Sequence, residues 1–332
     1  MIILGAIGAA AAILIGVTAF ILFPRDGQSS PTRSYTIVVV RNPPSLDIVW
    51  SRAHRYLEDA GYPDARMQYV VTEVATDLDS TKRLLKPLVE AKPDLIYTMG
   101  ILATRAAKEV TEEARSDIPI VFAVASDPVG SGLVKSFQSS GNNLTGITPS
   151  NQIVASKRLE FVKEMLPDTK RIIYAWNDKN TSGIEGLRTT APSLGLTLVE
   201  EEVADVGAMV AFLESFAYKK GDVILRASDA IGGGAVNTLI ALAIEKRLPL
   251  VGTHSGDVAR GALMSYGADY EAISRQSVRM VDAILKGTKP ADIPIEEAES
   301  FELAVNTDTA EKISVGIPAS FMTNVKHVYP EE

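Results

Sequence analysis

The chain has 332 residues, 46% of them apolar and 22% charged, which suits two globular domains and leaves little room for extended disorder. Acidic residues outnumber basic ones 41 to 33, for a formal charge of −8, and no dense basic run is present, which argues against nucleic-acid binding. The lack of cysteine removes disulfides, thiolate nucleophiles and a lipidated-cysteine anchor, and with only His54, His254 and His327 no metal site or cofactor is expected.

Residues 2–23 form an almost unbroken run of Ile, Leu, Ala, Gly, Val and Phe without a charge. About 20 such residues cross the ~30 Å hydrocarbon core as a helix. The run exceeds the usual apolar core of a signal peptide, has no Lys or Arg before it and no clear small-x-small site after it. It therefore reads as an uncleaved, single-pass transmembrane anchor, with a cleaved signal peptide as the alternative. Arg25 and Arg33 give only a weak vote on orientation, because long domains translocate largely regardless of flanking charge. Residues 24–34 open with PRDGQSSPTR, a polar Pro/Gly/Ser composition that reads as a flexible linker.

From Tyr35 onward short β-branched runs alternate with amphipathic stretches. Strands are predicted at Tyr35–Val40, Met67–Thr72, Asp94–Thr98, Ile118–Ala123, Arg171–Ala175, Thr197–Glu201, Asp222–Leu225, Leu248–Gly252, Ala262–Tyr266 and Glu302–Val305. In Ser80–Glu90, Leu84, Leu85, Leu88 and Val89 share one helical face, and Lys92-Pro93-Asp94 closes the helix. Strand–helix repetition at this period implies an α/β fold with parallel sheets and right-handed crossovers. The units are too many for one sheet. The composition breaks at Gly141–Ser150 (GNNLTGITPS), and further breaks at Gly267–Glu271 and Lys289–Ile295 read as additional crossings. The expectation is two doubly wound Rossmann-like lobes joined by a multi-strand hinge: residues 35–147 with 268–290, and 148–267 with 291–327.

In open parallel sheets ligands bind beyond the carboxyl ends of the strands. The loops to inspect are Asn42–Leu46, Gly100–Leu102, Ser126–Val129, Asn177–Ser182, Ser228–Ala230 and Thr253–Asp257, rich in hydrogen-bonding but weakly reactive side chains. Plainer readings stand beside each. Ser126-Asp127-Pro128 also fits a helix N-cap, and Asn177–Ser182 a turn. Gly232-Gly233-Gly234 lacks the spacing of a phosphate loop and reads as a flexible loop. His254, Ser255 and Asp257 lie too close in sequence for a triad, with no nucleophile elbow, so no enzyme activity is expected. Tyr97, Trp176, Tyr266 and Tyr270 could stack on a ligand, but aromatics at strand ends more often serve core or hinge packing.

Three blocks carry a specific likeness: IPIVFAVASDPVGSGLVKSF (Ile118–Phe137), RGALMSYGADYEAISRQ (Arg260–Gln276) and LKGTKPADIPIE (Leu285–Glu296). With weaker agreement from Asn42 to Tyr62 and Leu303 to Pro318, the chain resembles the ABC transporter substrate-binding family that includes the tryptophan/tyrosine-type binding proteins. The resemblance implies a periplasmic binding protein fold of type I, an extracytoplasmic body and an ABC permease partner. It also implies a small polar ligand, with an amino acid, aromatic or otherwise, as the leading candidate. Ligand contacts implied by position are Gly100, Ile101, Leu102, Ser126, Asp127, Asn177, Thr181, Ser182, Asp229 and Asp257. Two loops depart from the family pattern. Ala-Thr-Pro is replaced by Gly100-Ile101-Leu102, and Asn-Pro-Gly-Glu by Asn177-Asp178-Lys179-Asn180. The alternative is a ligand sensor or a degenerate scaffold of the same fold acting on another membrane protein.

Overall fold

The computed structural model describes residues 33–41, 46–74 and 77–330, without the side chains of Asn180 and Thr181. The expected anchor at 2–23, most of the linker and Asn42–Ser45 lie outside the described residues. Among the described residues no helix is long and apolar enough to cross a membrane.

The chain begins β1 (Tyr35–Arg41), α1 (Asp47–Asp59), β2 (Met67–Glu73), α2 (Leu78–Glu90), β3 (Leu95–Met99), α3 (Ile101–Glu113), β4 (Ile120–Ala123) and β5 (Leu144–Thr148). It continues through α4 (Asn151–Met165), β6 (Arg171–Trp176), α5 (Lys179–Ser182), α6 (Ile184–Thr190), β7 (Thr197–Glu202) and α7 (Val206–Ser215). Then come β8 (Asp222–Leu225), α8 (Ala230–Lys246), β9 (Leu250–Gly252), α9 (Ser255–Arg260), β10 (Met264–Ala268) and α10 (Tyr270–Leu285). The last elements are β11 (Glu296–Glu297), β12 (Phe301–Asn306), α11 (Thr307–Lys312), α12 (Ala319–Met322) and β13 (His327–Tyr329).

These strands form two sheets, of six strands in the order β11-β5-β4-β3-β1-β2 and seven in the order β13-β12-β10-β9-β8-β6-β7. Helices cover both faces of each, so β3, β4 and β5 are buried at every residue, as two-sided burial demands. The period of two still sorts side chains between faces. Ile37 and Val39 pack with Val49, Leu57 and Ile284 from α1 and α10. Val38 and Val40 pack with Leu85, Val89 and Ala106 from α2 and α3. In the second sheet Ile172 and Tyr174 face α4 and α6, while Ile173 and Ala175 face α7 and α8. Aspartates start several helices: Asp77, Asp205, Asp229 and Asp269 each accept a bond from a first-turn amide, one of the donors a helix start leaves unpaired.

Three segments cross between the sheets, after β5, after β10 and before β12. The last lies at Ala298–Ser300 rather than the expected Lys289–Ile295, because β11 still pairs with β5 through Glu296↔Ile147. The crossings are stitched side by side. Ala298 N–H donates to Thr148 O at 2.9 Å and Asp269 N–H to Ser300 O at 3.0 Å. The sheets are not wholly parallel: β12 runs antiparallel to β10, with Ala268 opposite Phe301. Geometry requires this, since the chain leaves the second sheet along β10 and re-enters it beside the point where it left.

Gly146 on β5 is held by close packing. A Cβ there would sit 2.1 Å from the Phe122 carbonyl oxygen of β4. Gly146→Ala should therefore cost about 1–3 kcal/mol in urea unfolding, the usual penalty of overpacking. An unchanged midpoint would contradict that register.

Candidate functional site

Each sheet reverses its strand order once, between β1 and β3 in the first and between β6 and β8 in the second. A crevice opens at such a switch point because neighbouring crossovers run to opposite faces. A cavity of about 480 Å³ is lined from both sheets. Leu46, Val74, Gly100, Ile101, Leu102, Val124 and Ser126 come from the first, and Arg158, Val206, Arg226, Ser228, Asp229, Thr253 and His254 from α4 and the loops of the second. Tyr270 and Ala268 line it from a crossing segment.

On the first side Gly100 precedes α3 with φ 83°, a conformation that favours glycine, and no side chain caps that helix start. Ser126 is 5% exposed, and its hydroxyl accepts a bond from Asn151 Nδ2 at 2.7 Å. Val124 and Asp127, on either side of it, both have left-handed backbones, at φ 59° and 39°. Non-glycine residues held there cost of order 1–3 kcal/mol each, and such strain clusters at functional sites.

The second side is built on buried charge. Arg226 Nε bonds Asp257 Oδ2 at 2.9 Å, its Nη2 lies 2.7 Å from the same oxygen, and Nη2 also bonds the Thr253 hydroxyl. Thr253 N–H donates to Asp257 Oδ2 at 2.8 Å. Burial alone would raise the Asp257 pKa, but Arg226, His254 and the Thr253 amide together hold it well below the usual carboxylate range. Burial pushes His254 down to about 4, against the pull of Asp257. Its ring is 3% exposed and lies against Tyr270, 4.9 Å between centroids. Its Nδ1 accepts from Gly256 N–H at 3.1 Å, so Nε2 carries the proton. Asp229 caps α8, accepting from Gly232 N–H at 2.7 Å and from Asn177 N–H at 2.8 Å, which ties the β6 and β8 loops across the switch point. Burial raises its carboxyl pKa despite those amide bonds.

Five of the ten sequence candidates line this cavity: Gly100, Ile101, Leu102, Ser126 and Asp229. Asp257 stands behind the lining, wholly buried against Arg226. Asp127 turns to a smaller cavity of about 140 Å³ beside Pro128 and Ile153, where its carboxylate takes the Gly130 amide. Asn177 spends its side chain on Val203 O, and Ser182 takes the Ile184 amide and the Tyr174 hydroxyl, so both brace their loop. Thr181 lies in α5, and its side chain is outside the described residues. Gly232–Gly234 is not a flexible loop but the first turn of α8, where a Cβ on Gly232 would meet Ala227 O at 2.4 Å. Of Tyr97, Trp176, Tyr266 and Tyr270, the last alone lines the cavity. Tyr97 is core, bonded to Ser277, and Trp176 is buried with Arg188 over its ring. Sequence reasoning missed Arg158 and Arg226 and set His254 aside.

The family described as ABC transporter substrate binding protein matches residues 35–328. A tyrosine-binding protein of Clostridioides difficile (strain R20291) is 27% identical over 293 residues, 87% of this chain and 82% of its own. A conserved domain protein from Vibrio cholerae is 26% identical with a TM-score of 0.78, covering 89% of this chain and 100% of the other. An ABC domain from Streptococcus pneumonia in complex with L-Trp superposes with a TM-score of 0.79 at 22% identity, covering 89% and 99%.

Asp257→Asn leaves Arg226 buried without a countercharge and should cost about 3–5 kcal/mol in denaturant unfolding. A loss within the range of an ordinary surface substitution would mean the pair is not buried. The pH dependence follows from His254. Between its ordinary 6.5 and about 4 the unfolded chain binds a proton that the folded chain refuses, so stability falls as pH drops through that window. The loss should reach about 3 kcal/mol near pH 4. His254→Asn, which keeps a capping acceptor for Gly256 N–H, should flatten it, and an unchanged slope would count against a neutral buried imidazole.

Proposed function

Since the chain belongs to the family of ABC transporter substrate-binding proteins, we propose that it captures a small molecule between two lobes and presents it to an ABC permease. The lobes are the first sheet with its helices, residues 35–148 and 270–297, and the second, residues 151–268 and 301–329. The observation that carries this reading is the cavity of about 480 Å³ lined by strand ends of both sheets. It falls within the 300–1,000 Å³ typical of small-molecule sites. The three laterally bonded crossings act as the hinge, so ligand contacts made from both sides favour the closed state.

An amino acid is the favoured ligand. Leu46, Val74, Ile101, Leu102, Val154 and Val206 offer an apolar wall, and Arg158, Arg226, Asp229 and His254 a polar floor. That division suits an apolar side chain on a charged head. The C. difficile relative is named for tyrosine and the S. pneumonia domain holds L-Trp. The contacts proposed are Gly100, Ile101, Leu102 and Ser126 from one lobe and Arg158, Asp229 and His254 from the other. Binding proteins of ABC systems work outside the cytoplasm, and residues 2–23 would tether the body there, raising its concentration near the permease.

Thermal unfolding of the purified chain against amino acids, sugars and small peptides tests this. A ligand at 100 times its Kd should add about 2.7 kcal/mol. Leu102→Trp and Ser228→Trp, which fill the cavity from opposite lobes, should each abolish the shift while leaving the empty chain's unfolding nearly unchanged. A panel with no shift would overturn the capture reading.

A further inference from the structure

Arg158 sits in the middle of α4 and is 2% exposed. Its Nε donates to Tyr266 O at 2.9 Å and its Nη2 to Thr253 O at 3.3 Å. Both partners are neutral carbonyls, and among the described residues Arg158 has no acidic partner within ion-pair distance. The neighbouring cation differs. Arg226 shares Thr253 with Arg158 but is closed upon Asp257. His254 adds no positive charge near neutrality, because burial holds it neutral. Asp229 already takes the Gly232 and Asn177 amides, and burial raises its pKa.

A guanidinium buried with no acid at ion-pair distance is costly, and burial draws Arg158 down to about 10, with Arg226 adding to the drop and Asp257 opposing it from further away. A structural tie between α4 and two carbonyls does not call for a full charge, since a neutral amide also donates to carbonyls. The residue lines the cavity, and so does the start of α3, whose first-turn amides have no side-chain cap. A helix N-terminus adds positive potential from the opposite sheet.

On the capture reading above, we infer that Arg158 is the anion anchor of the cleft: the ligand presents an acid group to Arg158, and this group, not an ammonium, dominates recognition. The ligand class is a carboxylate on a compact apolar body, with the ammonium of an amino acid dispensable. Asp229 gives an ammonium little, since both its oxygens hold backbone amides and its burial disfavours the charged form.

Titration calorimetry on the purified full chain separates the two head groups with three matched series. These are L-tryptophan, tryptamine and indole-3-propionate; L-tyrosine, tyramine and 3-(4-hydroxyphenyl)propionate; and L-leucine, isoamylamine and 4-methylpentanoate. In the series that binds, the acid should lie within about 10-fold of the amino acid and the amine at least about 100-fold weaker, the size of losing one partner of a buried charge pair. In Arg158→Gln the acid-over-amine preference should collapse to within about 10-fold, and Arg158→Lys, which keeps a cation but not the planar fork, should retain part of it. A purely structural role would weaken every ligand together and leave the ratio intact. Amines binding as tightly as acids, or a sugar stabilising a chain that ignores every acid, overturns the inference and leaves capture standing. Silence from all these ligands overturns capture itself, and the anchor with it.

Discussion

The ion pair between Arg226 and Asp257 is the interaction on which the second half of the cleft depends. Asp257 gathers the Arg226 guanidinium, the Thr253 amide and the Thr253 hydroxyl on one carboxylate oxygen. That single acceptor holds the end of β8 against the loop between β9 and α9. Because both partners are buried, neither can be lost without stranding the other in a medium that solvates charge poorly. With the loop fixed, Thr253 O is in place for Arg158, and His254 is pressed on Tyr270 at the crossing into the first sheet. The pair thus sets the shape of the floor, while the neighbouring Arg158 adds a guanidinium bonded to the Tyr266 and Thr253 carbonyls.

Topology then decides where that floor faces. Each sheet opens at its own strand reversal, and the chain passes between the sheets three times. Short crossings bonded to one another, through Ala298 to Thr148 and Asp269 to Ser300, leave few ways for the sheets to move relative to each other. On the capture proposal, closure would be bending at these crossings, and a ligand with differential contacts in the two states is what shifts such an equilibrium.

Much of this fold was legible in the chain. Runs such as Ile37–Val40 and Ile120–Ala123 announce buried strands, and the strand-to-loop transitions located Gly100, Ser126 and Asp229 at the cavity. Other features depended on distant partners. The two residues of β11 and three of β13 are too short to carry a pattern, and the antiparallel course of β12 follows from the crossing rather than from its own sequence. Arg158 lies in a Lys-Arg-Leu-Glu stretch that reads as the solvated face of a helix. Only the packing of α4 against β10 buries it. Asp127 shows the reverse: its loop is at the site, but a left-handed backbone turns its carboxylate to Gly130. His254, crowded with Ser255 and Asp257 in one short loop, was set aside as a triad member, and nothing in its sequence singled it out for the cavity. In the fold, burial and capping make it a neutral wall.

The most direct test is a crystal structure of the chain grown with a saturating bound ligand from the acid-bearing series. The account predicts one molecule touching both sheets, its carboxylate on Arg158 and its apolar body against Ile101 and Leu102. A ligand held by one sheet alone, or with its acid group directed away from Arg158 into solvent, would contradict it.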